Sequence, residues 1–299
     1  MAGSWHEIQE ATSLAGIRII IALHGVLGRS GLKAVLLPVS FFYWATTPSL
    51  RSASKTWLKT AGASSGIIQQ IRHVHRFAET ILDKLTCACG GEIPLKIEGD
   101  EVFDGDSEQT GAVILTSHTG CQELLSRASR LHTNHKIVVL QHTRHAEKFN
   151  ELLSRINPAP SSVVFREVSA NQSALAMELS DLIDSGAYVV IAGDRTPISS
   201  SDSVEALFFG RRAEFPSGGA LLALLLKRPL RAMICTRDPE APSGYLVTFH
   251  SIDESPSAPR SHRREWISDK MQIWAGLLED RLKQSPYDWF NFYNFWRSK

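Results

Sequence analysis

Charge of one sign is what this sequence most plainly lacks. Its 299 residues carry 32 Lys+Arg against 31 Asp+Glu, a net charge of +1 with neutral histidines. No whole-protein field draws in a polyanion, so nucleic acid is not an expected partner and any basic surface must be local. Cysteine is scarce too. Cys87, Cys89, Cys121 and Cys235 form no spaced framework, and a chain this long needs no disulfide staples. They read as reduced thiols in a cytoplasmic setting. Cys87 and Cys89 offer a metal only two ligands and no second pair has zinc spacing, so no metal site is expected. Their ordinary role is that of small buried hydrophobes. The opening MAGSWHEIQEATS lacks a basic n-region, and no A-x-A site closes an apolar stretch, which predicts no secretory signal.

An unbroken apolar run of spanning length is missing as well. Residues 14–45 are the most apolar part of the chain, but Arg18, Arg29 and Lys33 cut them, as do Gly28, Gly31 and Pro38. A spanning helix needs about 20 apolar residues. A basic residue at mid-bilayer costs about 2.5–3.5 kcal/mol. The apolar halves 19–27 and 34–44 are each too short alone. Three readings stay open. The favoured one is a helical hairpin in the membrane interface, with its basic residues at the headgroups and Phe41, Phe42, Tyr43 and Trp44 as anchors. The others are a helix pair buried in a soluble core, and a single span. Beyond it, residues 49–86 mix polar and apolar residues at helical spacing. Ile67, Ile71, Val74, Phe77, Ile81 and Leu85 step by three or four, which predicts one amphipathic helix. His73 and His75 sit two apart on it, face different sides, and read as solvated or core-edge residues.

What is present is a core. Apolar residues make up 43% of the chain, enough for one large α/β domain. From residue 93 onward, short apolar runs alternate with helical patterns. IPLKIEG, GAVILTSH, KIVVLQH, SSVVFREV and AYVVIAGD read as strands. QELLSRASRLH, EKFNELLSRINP and NQSALAMELSDLIDSG read as helices, the last closed by Gly186. This alternation predicts an α/β fold with a mostly parallel central sheet flanked by helices, behind an N-terminal apolar helical segment.

Ligands of such sheets sit beyond the carboxyl ends of the strands. Those ends are polar here. One reads Ser117-His118-Thr119-Gly120 and continues to Glu123. Another reaches Arg144, a third ends near Arg166, and a fourth ends in Gly193-Asp194-Arg195. Imidazole, carboxylate and guanidinium groups gathered on one edge suit chemistry at a carbonyl with an anionic substrate. A carboxylate bonded to the far nitrogen of His118 would fix its tautomer and support its imidazolium. Glu123 could do this with His118 on a loop, Gly120 allowing a tight turn, and Glu123 on the first helical turn. On spacing alone, the plainer reading, a capping histidine and a solvated first-turn acid, competes on at least equal terms.

SHTGCQELL resembles the first block of the lysophospholipid acyltransferase superfamily, a histidine followed after four residues by an acid. QHTRHAEKFNELLSRINP, VIAGDRTP, FFGRRAEFPSGGALLALLLKRPL and the aromatic end SPYDWFNFYNFW follow in order. Together they resemble the branch of bacterial lipid A biosynthesis (lauroyl/myristoyl) acyltransferases, over nearly the whole chain. The resemblance implies a membrane-associating segment over 1–48 and an acyltransferase domain over 49–299. It implies that a fatty acyl group passes from an acyl-carrier-protein or CoA thioester to a hydroxyl, or an amine, of a lipid, glycolipid or related acceptor. It implies His118 as general base and Glu123 as its orienting acid, with no resident cofactor. It implies a place at the cytoplasmic face of a bacterial inner membrane, held peripherally or by the N-terminus. Arg144, Arg166 and Arg195 are candidates to hold anionic groups, with Asp194 positioning Arg195. Arg211 and Arg212 read equally well as a solvated face. The sequence departs from the branch in two places. Its acid is Glu123 where Asp is commoner, and it has Gly193-Asp194-Arg195 where an Asp-Gln pair is usual, which points to another acceptor than lipid A. Cys121 carries no mark of a low-pKa thiolate. Two other functions remain. One is a thioesterase or esterase, which favours a G-x-S-x-G elbow, and none is read here. The other is a membrane-associated scaffold that has lost activity.

Overall fold

The computed structural model describes residues 14–106, 110–121, 124, 135–141, 163–167, 172–196 and 203–296. Three helices come first: α1 (Leu14–Thr46), α2 (Pro48–Thr60) and α3 (Ile67–Ala88). They lead into β1 (Leu95–Glu98), β2 (Ala112–Thr116), β3 (Ile137–Gln141) and β4 (Val163–Glu167). The chain continues through α4 (Gln172–Asp184) and β5 (Tyr188–Ala192), the hairpin β6 (Ser203–Phe208) and β7 (Arg211–Pro216), and α5 (Gly218–Leu226). It closes with β8 (Leu230–Arg237), β9 (Tyr245–Asp253) and α6 (Arg263–Gln284).

Seven strands form one sheet in the order β1-β9-β8-β2-β5-β3-β4. Within it β8 and β9 pair antiparallel; the other neighbours run parallel. The predicted mostly parallel α/β sheet is therefore observed. The central strands β2 and β5 are apolar on both faces, as burial on both sides requires. Val113, Leu115, Val189 and Ile234 face a core completed by α5 and α6, with Trp274, Leu278 and Ala220. Ile114, Tyr188, Val190 and Met233 face a second core with Phe103, Tyr245 and Phe249. The apolar stretch GGALLALLL forms α5. The predicted helices over 122–132 and 147–158 lie outside the described residues, Leu124 excepted.

The segment 49–86 is two helices rather than one, with α3 alone carrying the 67–85 stripe. The break holds a G-x-S-x-G pattern after all, Gly62-Ala63-Ser64-Ser65-Gly66, which corrects the reading that the chain has none. It joins helix to helix, not strand to helix, so Ser64 has none of the exposure at a sheet edge that a nucleophile elbow supplies.

The N-terminal segment departs from the expected interfacial hairpin in where its described basic residues point. Two helical stretches meet at a kink at Gly28, whose φ of 63° and ψ of −176° are non-helical, and the stretch after the kink lies antiparallel along α3. Arg29 donates to Asp83 (2.7 Å) and Lys33 pairs with Glu79 (3.2 Å). Ser40 meets His75 (3.3 Å) and the Trp44 indole donates to Gln70 (3.0 Å). Arg29 and Lys33 thus face protein carboxylates, and Trp44 turns inward rather than serving as an outer anchor. Val35, Leu37, Val39, Phe41, Phe42 and Tyr43 are exposed on the other side. Its inward face is mixed, with Leu32 buried beside Arg29, Lys33 and Ser40, and its outward face is apolar where an ordinary surface helix is polar.

Candidate active site

Register brings the site together. Thr116 of β2 pairs with Ala192 of β5, and parallel neighbours lie about 4.8 Å apart. His118 and Asp194 each stand two residues beyond that pair, on adjacent strand ends. The His118 Nδ1–H donates to Asp194 Oδ1 at 2.7 Å, and the His118 backbone N–H donates to Oδ2 at 2.9 Å. The carboxylate is fully buried, while the His118 side chain is 33% exposed. The base therefore has a protected side and an open one. With the proton on Nδ1, the lone pair sits on Nε2, which has no hydrogen-bond partner among the described residues.

The electrostatics agree with that tautomer. Asp194 would be raised by burial, but His118, Arg195 and the Trp289 indole outweigh this and lower its pKa to about 2. His118 is pushed below the usual histidine value by burial and by Arg195, against the pull of Asp194. It is neutral near pH 7, as a general base must be. Gly120 makes the turn after it, as its sequence position suggested. Its φ is +50°, and a Cβ there would come within 2.5 Å of the Cys235 carbonyl oxygen. Cys121, directly beyond, is fully buried.

The C-terminal aromatic segment completes the site. Its backbone bridges Thr119 to Trp289 in antiparallel fashion. Gly120 N–H donates to the Asp288 carbonyl (3.2 Å) and Phe290 N–H to the His118 carbonyl (3.0 Å). The Trp289 indole donates to Asp194 Oδ2 at 2.9 Å. Arg195 donates from Nε to Asn291 Oδ1 (2.6 Å) and from Nη2 to the Phe290 carbonyl (2.9 Å). Trp289 and Trp296 join the core on the α5–α6 side of the sheet, with Phe295 packed against it.

The other expected residues scatter. Glu123 and Arg144 lie outside the described residues. Arg166, on the edge strand β4, pairs with Glu178 at 2.5 Å. Three strand spacings, about 14 Å, separate β4 from β2, so Arg166 can reach a distal part of a long ligand but not an atom reacting at His118. Arg212 pairs with Glu205 in the open (3.0 Å), and the Arg211 guanidinium stacks over Trp296 (5.2 Å). Both fit the solvated reading.

His73 corrects another expectation: it is fully buried rather than solvated. Its Nε2–H donates to the Trp289 carbonyl (2.9 Å), so its Nδ1 accepts from Ser54 Oγ (3.0 Å). Burial lowers its pKa to about 4. The unfolded chain takes up this proton near pH 6.5, so between about 6.5 and 4 the unfolded state binds more protons. Stability is expected to fall as pH drops through that window, by about 3 kcal/mol from this residue. Urea unfolding at pH 7 and pH 4.5 checks it. The fall should shrink in His73→Gln, and an equal fall in both proteins would refute the assignment.

The model of the family described as bacterial lipid A biosynthesis acyltransferase matches residues 66–298. The matched span begins where α3 begins and includes His118, Asp194 and the aromatic segment. Curated proteins return no match to the chain.

Proposed function

We propose a specific reaction from one premise: this chain belongs to the bacterial lipid A biosynthesis acyltransferase family. It is an acyltransferase, and its family moves acyl groups onto a lipid acceptor. In our reading the donor is a thioester of acyl carrier protein or CoA. The acceptor is a hydroxyl, less readily an amine, of a lipid or glycolipid at the cytoplasmic face of the inner membrane. His118 Nε2 takes the acceptor proton, and the freed oxygen attacks the thioester carbonyl. The tetrahedral oxyanion collapses, the C–S bond breaks, and the thiolate leaves with the proton from the imidazolium. Asp194 holds Nδ1–H throughout and stabilises the imidazolium. Since Asp194 occupies Nδ1, the orienting role falls to Asp194 in our reading, with Glu123 a secondary acid of the reaction. Arg195, and with it Arg144, holds an anionic group of acceptor or carrier.

The observation that carries this reading is the 2.7 Å contact between His118 Nδ1 and Asp194. It leaves the histidine's other nitrogen toward the open side, where a substrate hydroxyl can meet it. The test offers myristoyl-CoA and myristoyl-carrier protein to the purified protein, with and without a lipid A precursor, a glycolipid or a phospholipid. An acylated lipid and acceptor-dependent thiol release are expected. Rapid thiol release without any acceptor would make the protein a thioesterase instead.

The outward apolar face of α1 supports a membrane seat. Gly25–Thr46 is long and apolar enough to cross a bilayer by length and composition. Yet its inner stripe, from Arg29 to Trp44, follows α3 for about 23 Å. A span would drag Glu79 and Asp83 into the hydrocarbon with it, which favours α1 lying at the interface. The double variant Val39→Asp/Phe42→Asp, at two exposed positions, removes side chains whose burial contributes about 1.5–3 kcal/mol each. Its partition onto anionic phospholipid vesicles should drop at least tenfold in a sedimentation assay. Unchanged partition would remove α1 from the membrane contact.

A further inference from the structure

Asp194 Oδ2 is held by more than the catalytic loop. The Trp289 indole N–H donates to it at 2.9 Å and Asn291 Nδ2 approaches at 3.5 Å. The Trp289 side chain is 1% exposed, wedged edge-on against Trp57 (centroids 4.6 Å) and Phe295 (4.8 Å). Its carbonyl is gripped from behind by His73, which is itself gripped by Ser54. The Trp57 indole donates to the Pro286 carbonyl (2.6 Å) just upstream. A line of hydrogen bonds thus runs from α2 and α3, through the C-terminal segment, to the carboxylate beneath His118.

We propose that Trp289 is a positioning residue for the His118–Asp194 pair, and that His73 fixes Trp289 in turn. This rests on His118 being the base. A carboxylate with one oxygen bonded to His118 Nδ1 can still rotate about its Cβ–Cγ bond. The backbone N–H of His118 and the indole N–H both act on Oδ2 and remove that freedom. The indole N–H also draws charge from the carboxylate, so it weakens the carboxylate's hold on the imidazolium. Packing alone does neither, because any aromatic ring of similar size would fill the space.

The test reads His118 directly. The histidine carbons are labelled with ¹³C, the His118 resonance is assigned by its loss in His118→Ala, and its titration is followed in detergent-solubilised full-length protein without substrate. The charged groups acting on it are Asp194, Arg195 and Lys84, and none is altered. In Trp289→Phe the His118 midpoint should move to higher pH, because the carboxylate loses a donor and its charge on the imidazolium grows. The acid limb of turnover on myristoyl-CoA should move the same way, with turnover reduced several-fold. Should Trp289→Phe fold poorly, benzothienylalanine at 289 keeps the bicyclic shape and deletes only the N–H. It should reproduce the shift. His73→Phe should shift the midpoint in the same direction by a smaller amount. A His118 titration identical to the parent's in the benzothienylalanine protein overturns the proposal. Full activity in His118→Ala would instead overturn the function on which it rests, and the two results are read separately.

Discussion

The His118→Ala variant should lower acyl transfer by about 10²–10⁴, the usual worth of a general base, and leave the fold standing. The second half follows from the geometry. The His118 side chain makes one hydrogen bond among the described residues, to Asp194, and is 33% exposed. Once the imidazole is gone, Asp194 keeps the His118 backbone N–H and the Trp289 indole as donors, with Arg195 following in the chain. Its charge is not stranded, so the usual cost of breaking a buried ion pair is largely avoided. Binding of donor and acceptor does not depend on the lost nitrogen. The deficit should therefore appear in kcat, with KM for the thioester close to unchanged. Thermal unfolding supplies the control. A protein of parental Tm with near-parental turnover would end His118's candidacy as the base.

The strands β1 to β5 and the helix α4 were legible because each segment carries its own local pattern, whereas the β6-β7 hairpin, β8, β9 and α6 were not read. Val-rich runs such as AYVVIAGD and the 67–85 stripe specify strand and helix without reference to the rest of the chain. The position of His118 was legible as well, since it follows a strand in a polar block. Its partner was harder to read. Asp194 is 76 residues away, and only the order β2-β5-β3 puts its strand beside that of His118. Strand order is a property of the assembled sheet, set by how helices cross and pack, and no local period encodes it. The sequence placed Asp194 on the right edge but paired it with Arg195. Trp289 and His73 left still less signal. An indole in an aromatic cluster and a histidine on an amphipathic helix look like packing and surface until the tertiary fold aims one N–H at a carboxylate. The charges of α1 misled for a related reason. Arg29 and Lys33 would be costly in a bilayer, and the structure meets that cost by pairing them with Asp83 and Glu79 of α3. Only the tertiary partner reveals which way the polar stripe faces.

The Asp194→Asn variant should cost transfer about as much as loss of the base, and more than Glu123→Gln. The amide has one acceptor oxygen where the carboxylate has two. Oδ2 receives the His118 backbone N–H and the Trp289 indole, so the amide oxygen is drawn to that position. The NH₂ group then faces His118 Nδ1. A donor facing a donor is repulsive, and the imidazole resolves it by moving its proton to Nε2. The free lone pair now lies on Nδ1, facing the introduced amide, and Nε2 presents an N–H to the acceptor in place of a base. In a triad enzyme the same aspartate-to-asparagine change costs about 10⁴ through the same tautomer error. A drop of about 10³–10⁴ is expected here, with the pH dependence of the residual activity no longer reporting a base that titrates below the ordinary histidine value. Glu123→Gln leaves the Nδ1 contact intact and should fall less. Single-turnover rates for the three variants on one thioester decide the matter. If Glu123→Gln proves as damaging as His118→Ala while Asp194→Asn retains most of its rate, the orienting carboxylate is Glu123, and the 2.7 Å contact to Asp194 serves the fold rather than the reaction.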